Sequence, residues 1–207
     1  MNVIGLFPLH IVLFPEASYP LHIFEERYKE LIGKSLRNDQ EFGINLVEGG
    51  KLFDVGCRVK VTRILKDYPD GRKDIVVTGT TRYRVMKVRP SEAPYITADT
   101  VSYEDEESTT EYQMLEETIH LYNELIERAY GEAEEQLNVE EWTGHLPSFR
   151  IAQKSGLDLL MRQRLLEMRS ENDRLALLTD HLKTILPKIR RADQIRLLSR
   201  NDGYLKE

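Results

Sequence analysis

The spacing of apolar residues changes near the middle of the 207-residue chain. In the first half, short β-rich runs dominate, and around Cys57 apolar residues alternate with polar ones. Side chains of a strand point alternately to its two faces, so this spacing predicts strands. The predicted strands cover residues 3–7, 11–14, 41–48, 53–66, 75–80, 83–88 and 95–103.

Helical spacing of three and four residues appears once in the first half and repeatedly in the second. It predicts a helix over 24–36, which Pro20 precedes, and three later helices over 112–126, 157–168 and 175–189. Pro187 is expected to end or kink the last of these, because proline lacks the N–H that a helix interior uses.

These elements predict an α+β fold with two domains. Tyr68–Arg72, which contains Asp70-Gly71, predicts a hairpin between two strands. No long parallel crossover is visible, so we expect a mostly antiparallel, barrel-like sheet with one inserted helix, followed by a small helical bundle. The acidic run at Glu104 suggests domains at residues 1–105 and 106–207.

Charge is distributed unevenly along the chain. Residues 1–103 carry 15 basic and 13 acidic side chains, 104–149 carry 1 and 14, and 150–207 carry 13 and 8. The acidic middle and the net charge of -6 disfavour a general nucleic-acid surface. No membrane-length apolar run and no secretory leader are recognisable, so we predict a cytoplasmic protein without a membrane partner.

No motif for catalysis is recognisable. Gly49-Gly50-Lys51 is followed by leucine rather than by the hydroxyl residue of a phosphate-binding loop, and H-E-x-x-H and G-x-S-x-G are absent. The five histidines are widely separated, and the single cysteine, Cys57, is expected to be a buried thiol. We therefore predict no enzyme activity, no cofactor and no catalytic or metal-binding residue.

Several segments together resemble the N-terminal substrate-binding domain of Lon proteases. In order and spacing these are GLFPLHIVLFPEASYPLHIFEERYKELI, FGINLV, DVGCRVKVTRIL, YPDGRKDIVVTGTTRYRV and PYITADTV, followed by LPSFRIAQKSGLDLLMRQRLLEMRSENDRLALLTDHL. The combination of HIFE-x-RY with the later FG, VG, DGR and G-x-x-R-[YF]-R is specific, whereas DGR alone is weak.

The resemblance implies a PUA-like pseudo-barrel with an appended helical bundle that binds unfolded or damaged polypeptides. The ATPase and Ser-Lys peptidase domains of Lon proteases have no counterpart in these 207 residues, so their activities are not expected here. Two residues depart from the family pattern: Glu16 stands where glycine is common, and Glu26 stands where proline often precedes RY.

The motif residues have structural and binding interpretations. Phe24, Tyr28 and Leu31 are expected to pack the inserted helix on the sheet, and Glu25 and Arg27 to form an ion pair that ties helix to sheet, with partner contact as the alternative. The structural motif residues are His22, Phe24, Glu25, Arg27, Tyr28, Asp70, Gly71 and Arg82.

The face of Arg82 and Arg84 could bind an acidic peptide or phosphate, but contact with the protein's own acidic helices is preferred. Capture of a polypeptide needs exposed, adaptable apolar surface, although core packing is the alternative for every candidate. The candidate polypeptide contacts are Leu6, Phe7, Pro8, Leu13, Phe14, Met161 and Met168.

The leading hypothesis is a non-catalytic module that binds unfolded polypeptides or a protein partner, in an adaptor or chaperone-like role. The alternative is a PUA-like nucleic-acid-binding module, which the acidic total charge and the lack of interleaved basic and aromatic residues oppose. A hydrolase without a recognisable motif is a third, weaker hypothesis.

Overall fold

The computed structural model describes residues 2–90, 92–107, 109–131, 135–142 and 146–201. Its contacts divide the chain into two compact units: residues 1–106 with 158–169, and residues 107–157 with 170–207. The segment 158–169, which lies in the helical half of the sequence, is thus grouped with the strands.

The first unit contains a seven-stranded, mostly antiparallel sheet and two helices. Its elements are β1 (Asn2–Leu9), β2 (Ser18–Ile23), α1 (Glu26–Asn38), β3 (Phe42–Glu48), β4 (Lys51–Leu52), β5 (Val55–Asp67), β6 (Lys73–Arg89), β7 (Thr97–Ser102) and α5 (Leu159–Glu167). This confirms the predicted α+β class with one helix inserted between the strands.

The sheet closes on itself but is not a regular barrel. Its order is β1-β7-β6-β5-β3-β4, and β1 also pairs in parallel with β3, so the path returns to its start. Register shifts interrupt the β5–β6 ladder at three places, and β2 pairs with β6 beside this path. These irregularities distinguish a pseudo-barrel from a closed, even barrel.

Three predicted strands differ from the structure. Residues 11–14 form a loop: Val12, Leu13 and Phe14 are all buried, and consecutive burial does not produce the two-faced alternation of a half-exposed strand. Residues 75–80 and 83–88 belong to one strand, β6, because Gly79 continues the ladder where a Cβ atom would overlap the backbone of Phe14.

Helix α1 packs one face on the sheet. Its buried residues are Tyr28, Leu31, Ile32 and Ser35, and the ring of Tyr28 stacks on Phe7 with centroids 3.9 Å apart. The helix ends at Asn38, and the next residue, Asp39, adopts a left-handed conformation with φ 51°. Helix α1 therefore covers the face of β1 that carries Phe7.

The predicted hairpin joins β5 to β6. Tyr68 N–H donates to Arg72 O at 3.0 Å, and Gly71 N–H donates to Tyr68 O at 2.9 Å. Gly71 has a φ of 82°, a conformation that glycine adopts without the steric cost of a Cβ atom. The Asp-Gly pair thus marked the turn correctly.

The second unit contains α2 (Tyr112–Ala129), α3 (Val139–Trp142), α4 (Pro147–Lys154) and α6 (Glu171–Asn201). Thr118 contacts Thr179 and Glu124 contacts Arg190, so α2 and α6 run in the same direction. Most residues of the predicted stripes are buried, namely Leu115, Ile119, Tyr122, Ile126, Leu175, Leu178 and Leu182. Tyr112 at the start of the first stripe is exposed, and Ile185 and Ile189 at the end of the second are partly exposed.

Helix α6 continues past Pro187 to Asn201, so Pro187 does not end the helix, and the alternative that it kinks the helix stays a prediction. Pro187 and Lys183, the residue four positions earlier, are both exposed. Water can therefore solvate the carbonyl group that a proline leaves without its helical donor. Helix α4 was not predicted at all.

Candidate functional site

A cleft of about 440 Å³ opens in the first unit beside the beginning of β1. The strand changes partner along its length: Asn2–Gly5 pairs with β7, whereas Leu6–Leu9 pairs with β3. The sheet is therefore open on the β3 side of residues 2–5. Residues that line the cleft include Val3, Ile4, Gly5, Leu31, Lys34, Ser35, Gln40, Glu41, Phe42, Arg58 and Tyr95.

The backbone of Val3 forms part of the open edge. Leu6 N–H donates to Ile96 O at 2.8 Å, which places the backbone groups of Leu6, Ile4 and Asn2 on the β7 side, since alternate residues of an antiparallel strand face the same neighbour. The N–H and C=O of Val3 consequently point toward β3. The first β3 residue paired with β1 is Gly43, which lies opposite Leu6.

One side of the cleft is apolar and belongs to the face covered by α1. Leu31, Phe42 and Tyr95 are buried there, with 4%, 1% and 6% of their surfaces exposed. Leu31 reaches the strand because position 5 is glycine: a Cβ atom on Gly5 would overlap Leu31 and lie 3.0 Å from the ring of Tyr95. The glycine thus allows the helix to approach β1 closely.

The other side of the cleft meets the barrel core. Ile4 and Leu6 pack there with Tyr83, and the guanidinium of Arg58 lies 5.5 Å from the centroid of the Tyr83 ring. Arg58 Nη2 donates to Thr100 Oγ1 at 2.9 Å. Arg58 is half-buried and therefore places a positive charge at the mouth of the apolar core.

Three charged residues line the cleft without forming ion pairs among the described residues. They are Lys34 on α1, Glu41 before β3 and Arg58 on β5. Two cations and one anion give the cleft a net positive charge. Ser35, a buried polar residue of α1, donates its hydroxyl hydrogen to Gln40 O at 2.5 Å. This hydrogen bond stabilises the turn that leads into β3.

The interior next to the cleft is held by neutral polar groups. Tyr83 donates its hydroxyl to Asn45 Oδ1, and Asn45 Nδ2 donates to Phe53 O at 3.0 Å. Burial raises the pKa of Tyr83 well above its ordinary value and raises the pKa of Cys57 to about 12. Both groups stay protonated at neutral pH, so neither the phenol nor the thiol is an activated nucleophile.

The structure places the seven candidate polypeptide contacts outside the cleft lining. Leu6, Phe7, Leu13 and Phe14 are at most 6% exposed and pack in the core of the first unit. Pro8, Met161 and Met168 are partly exposed. In this conformation the first four are not available to a ligand, and only the last three reach the surface.

The motif residues that follow β1 have mainly local partners. His22 Nδ1 lies 2.5 Å from Asp74 Oδ1, and the hydrogen bonds of Asp74 to His22 and Tyr68 lower the pKa of that carboxyl. Phe24 is 58% exposed, contrary to the packing role expected for it. Phe24 lies between β2 and α1, and its ring stacks on that of His22 with centroids 5.9 Å apart.

Charged motif residues pair within their own turns. Arg27 Nη2 lies 2.7 Å from Glu25 Oε2, so this ion pair joins two residues at the start of α1 rather than tying helix to sheet. In the hairpin, the backbone N–H of Arg72 is the main cause that lowers the pKa of Asp70. In each ion pair, Glu25 with Arg27 and Asp70 with Arg72, the partners are only two positions apart in the sequence.

Arg82 is buried and contacts its own chain. Its Nη1 donates to Leu166 O at 2.8 Å and to Met168 O at 2.6 Å, and its Nη2 pairs with Asp105. These partners lie at the end of α5 and in the acidic segment after β7, not in the acidic helices that we preferred as its partner. Arg84, two residues later, is exposed above the ring of Tyr103.

The sequence model of the ATP-dependent protease La (LON) substrate-binding domain matches residues 3–184. The chain belongs to this family. Among solved structures, a Lon N-terminal domain protein from Xanthomonas campestris is similar at 24% identity and a TM-score of 0.69, covering 86% of this chain and 97% of its own. The N-terminal domain of Lon protease from Mycobacterium avium complex has 16% identity and the same TM-score, covering 88% and 98%.

Both structures share the fold of this LON substrate-binding domain. The family supports a substrate-binding role in general, and the match covers neither an ATPase nor a peptidase domain. Over the described residues, no helix is long and apolar enough to cross a membrane. The same ranges contain no group of three or more His, Cys, Asp or Glu side chains placed to hold a metal ion.

The cleft of this LON substrate-binding domain contains residues that the sequence analysis did not single out, namely Val3, Lys34, Glu41 and Tyr95. Alternation along β5 did separate Arg58 from the buried pair Cys57 and Val59. No local pattern, however, indicates that β1 changes partner after Gly5, because strand pairing is a long-range property.

Proposed function

We propose that this protein is a non-catalytic module that binds unfolded or damaged polypeptides, or a protein partner, in an adaptor or chaperone-like role. The observation that carries the proposal is the open cleft, where apolar walls lie beside an unpaired strand edge in a LON substrate-binding fold. Unfolded chains present both apolar side chains and free backbone groups, which such a surface can bind.

The direct test is binding of a permanently unfolded client. Reduced and alkylated lactalbumin should bind the purified protein in a pull-down, and native lactalbumin should not. The protein should also slow the aggregation of reduced lactalbumin when it is added in equal amount. Absence of both effects would contradict the proposed function.

We also propose a cytoplasmic location and no enzymatic turnover. Support for the second comes from the family match, which is to a substrate-binding domain alone. Fractionation of cells that express the tagged protein tests the location. A panel of ester, peptide and phosphate substrates tests turnover, and hydrolysis of any of them would refute this part of the proposal.

A further inference from the structure

The two sides of the cleft differ in chemistry, and the difference follows the alternation of β1. Val3, Gly5 and Phe7 lie on one face of the strand, where α1 contributes Leu31 and Tyr28. Ile4 and Leu6 lie on the opposite face with the barrel core, and Arg58 lies on that side above Tyr83. One side of the cleft is therefore apolar, and the other offers a cation.

The strand edge between these sides lacks a neighbour. Val3 directs its N–H and C=O toward the cleft, and β3 begins its pairing with β1 only opposite Leu6. Open strand edges bind extended main chain by adding a strand. A strand added here would project alternate side chains to the two sides of the cleft.

The cation has unused hydrogen-bonding capacity. The guanidinium of arginine has five N–H donors, and among the described residues that of Arg58 donates one hydrogen bond, to Thr100 Oγ1, and makes one ring contact. A half-buried guanidinium without a carboxylate gains a charge-assisted hydrogen bond when a ligand supplies one. Lys34, which also lacks an ion pair among the described residues, adds a second positive charge at the rim.

We propose that the cleft binds an extended polypeptide segment with alternating apolar and acidic residues as an added strand beside Val3. Apolar side chains lie over the exposed Val3 and over the parts of Leu31, Phe42 and Tyr95 that line the cleft, and acidic side chains reach Arg58. The inference rests on the proposed function and deepens it, because it names the class of segment that is bound and the way its main chain pairs.

Fluorescence anisotropy with defined peptides tests the side-chain chemistry. The probe is a fluorescein-labelled, acetylated octapeptide of alternating leucine and glutamate. Replacing every glutamate by glutamine should weaken binding about tenfold, and replacing it by lysine should abolish binding. A peptide of the same composition with four leucines followed by four glutamates should bind weakly. Equal binding of all four peptides would overturn the proposal.

Protein variants test the site. Arg58→Gln should remove the preference for glutamate over glutamine peptides, whereas Lys87→Gln, on an exposed lysine of β6 outside the cleft, should preserve it. Val3→Pro removes the N–H that points to the cleft, and it should weaken binding at least fivefold more than Val3→Ala. Unchanged affinity in both Arg58→Gln and Val3→Pro would overturn the proposal.

A photo-crosslinking experiment on the unaltered protein tests the site independently of whether the variants fold. Photoreactive leucine in the probe should label residues 31–42 or 95–97, and labelling confined to other segments would overturn the proposal. If unfolded lactalbumin binds but none of the peptides does, the inference fails while the proposed function stands. If neither binds, both fail.

Discussion

Among the described residues, each of the two units buries one arginine side chain, and the partners of the two guanidinium groups differ. Arg82 in the first unit is 6% exposed and donates to two backbone carbonyls as well as to Asp105. Arg174 in the second unit is fully buried and pairs with Glu171, three residues earlier on α6.

The hydrogen bonds around Arg174 form a closed local network. Glu171 accepts from the backbone N–H of Ser148 at 3.0 Å and from the Ser148 hydroxyl at 2.6 Å, and Arg174 Nε donates to Ser148 Oγ at 2.9 Å. Its guanidinium also lies 4.5 Å from the Phe149 ring centroid. Arg174 thus joins α6 to the start of α4, whereas Arg82 joins β6 to the C-terminal end of α5.

Both arginines thus have a carboxylate partner, but Glu171 is buried whereas the side chain of Asp105 is partly exposed, and Arg82 also donates to two backbone carbonyls. In the second unit, loss of the arginine leaves a buried carboxylate. In the first, it leaves two carbonyl groups and Asp105, whose side chain is 18% exposed. A buried unpaired charge costs more free energy than unpaired carbonyl groups, so the two sites should differ in mutational cost.

The largest effect is expected from Arg174→Ala. It should lower the free energy of unfolding by about 3–5 kcal/mol, because Glu171 would remain buried without its cation. Urea unfolding followed by the fluorescence of Trp142, the only tryptophan, measures this in the second unit. Arg191→Ala, on an exposed position of the same helix, should change stability by less than about 0.5 kcal/mol. Similar losses of stability in Arg174→Ala and Arg191→Ala would contradict the cost assigned to leaving Glu171 without its cation.

Arg82→Ala should have a smaller effect and lower the free energy of unfolding by about 2–3 kcal/mol. Its partners lie at the C-terminal end of α5, so amides of Leu159–Glu167 should exchange faster with deuterium. Arg84→Ala, which removes the exposed neighbour, is the matched control. Unchanged exchange in α5 would show that Arg82 does not hold this helix.

An exposed ion pair should contribute less than either buried one. Hydrogen bonding from Arg190 is the main cause that lowers the pKa of Glu124 from 4.5 to about 2. Because the folded pKa is the lower one, the stabilisation is complete above pH 4.5 and disappears as the pH falls toward 2. Arg190 is half-exposed, so we expect about 1 kcal/mol. Between pH 6 and pH 2, the free energy of unfolding of Glu124→Gln should therefore fall by less than that of the unaltered protein.

The smallest effect concerns backbone conformation, in which the units also differ. In the described part of the second unit, the positive φ angles belong to Gly131 and Gly156, whereas in the first unit Glu16 has a φ of 63°. Glu16→Gly should therefore stabilise the protein by about 0.5 kcal/mol, after allowance for the flexibility that glycine adds to the unfolded chain. Glu16→Ala should give no such gain in thermal unfolding, and an equal gain would contradict the argument.

Glu16 also illustrates what the sequence made predictable. The family pattern favours glycine at this position, and the left-handed conformation supplies the physical reason. Helix α1, the Asp70-Gly71 hairpin and the buried stripes of α2 and α6 were likewise predictable, since each depends on residues close in sequence. The family itself was evident from several short segments in order.

The candidate site was less predictable because long-range pairing forms it. The apolar residues of 11–14 suggested a strand, but they are buried in a loop, and Leu6 and Phe7 suggested a binding edge, but they pack in the core. The opening beside Val3 exists because β1 pairs with β3 only from Leu6 onward. The hydrogen bond from Arg174 to Ser148 requires contact between α4 and α6. The two-domain division at residue 105 stays a prediction.

Helix α5 has a consequence for the order in which the protein can fold during synthesis. The first unit is discontinuous, since residues 158–169 complete it. Until those residues leave the ribosome, Arg82 lacks its acceptors at Leu166 and Met168, and the carbonyl of Val55 lacks the Gln163 amide that donates to it. Asp105 is already present at that stage, but the hydrogen bonds to α5 can form only after the ribosome has added about fifty further residues that belong to the other unit.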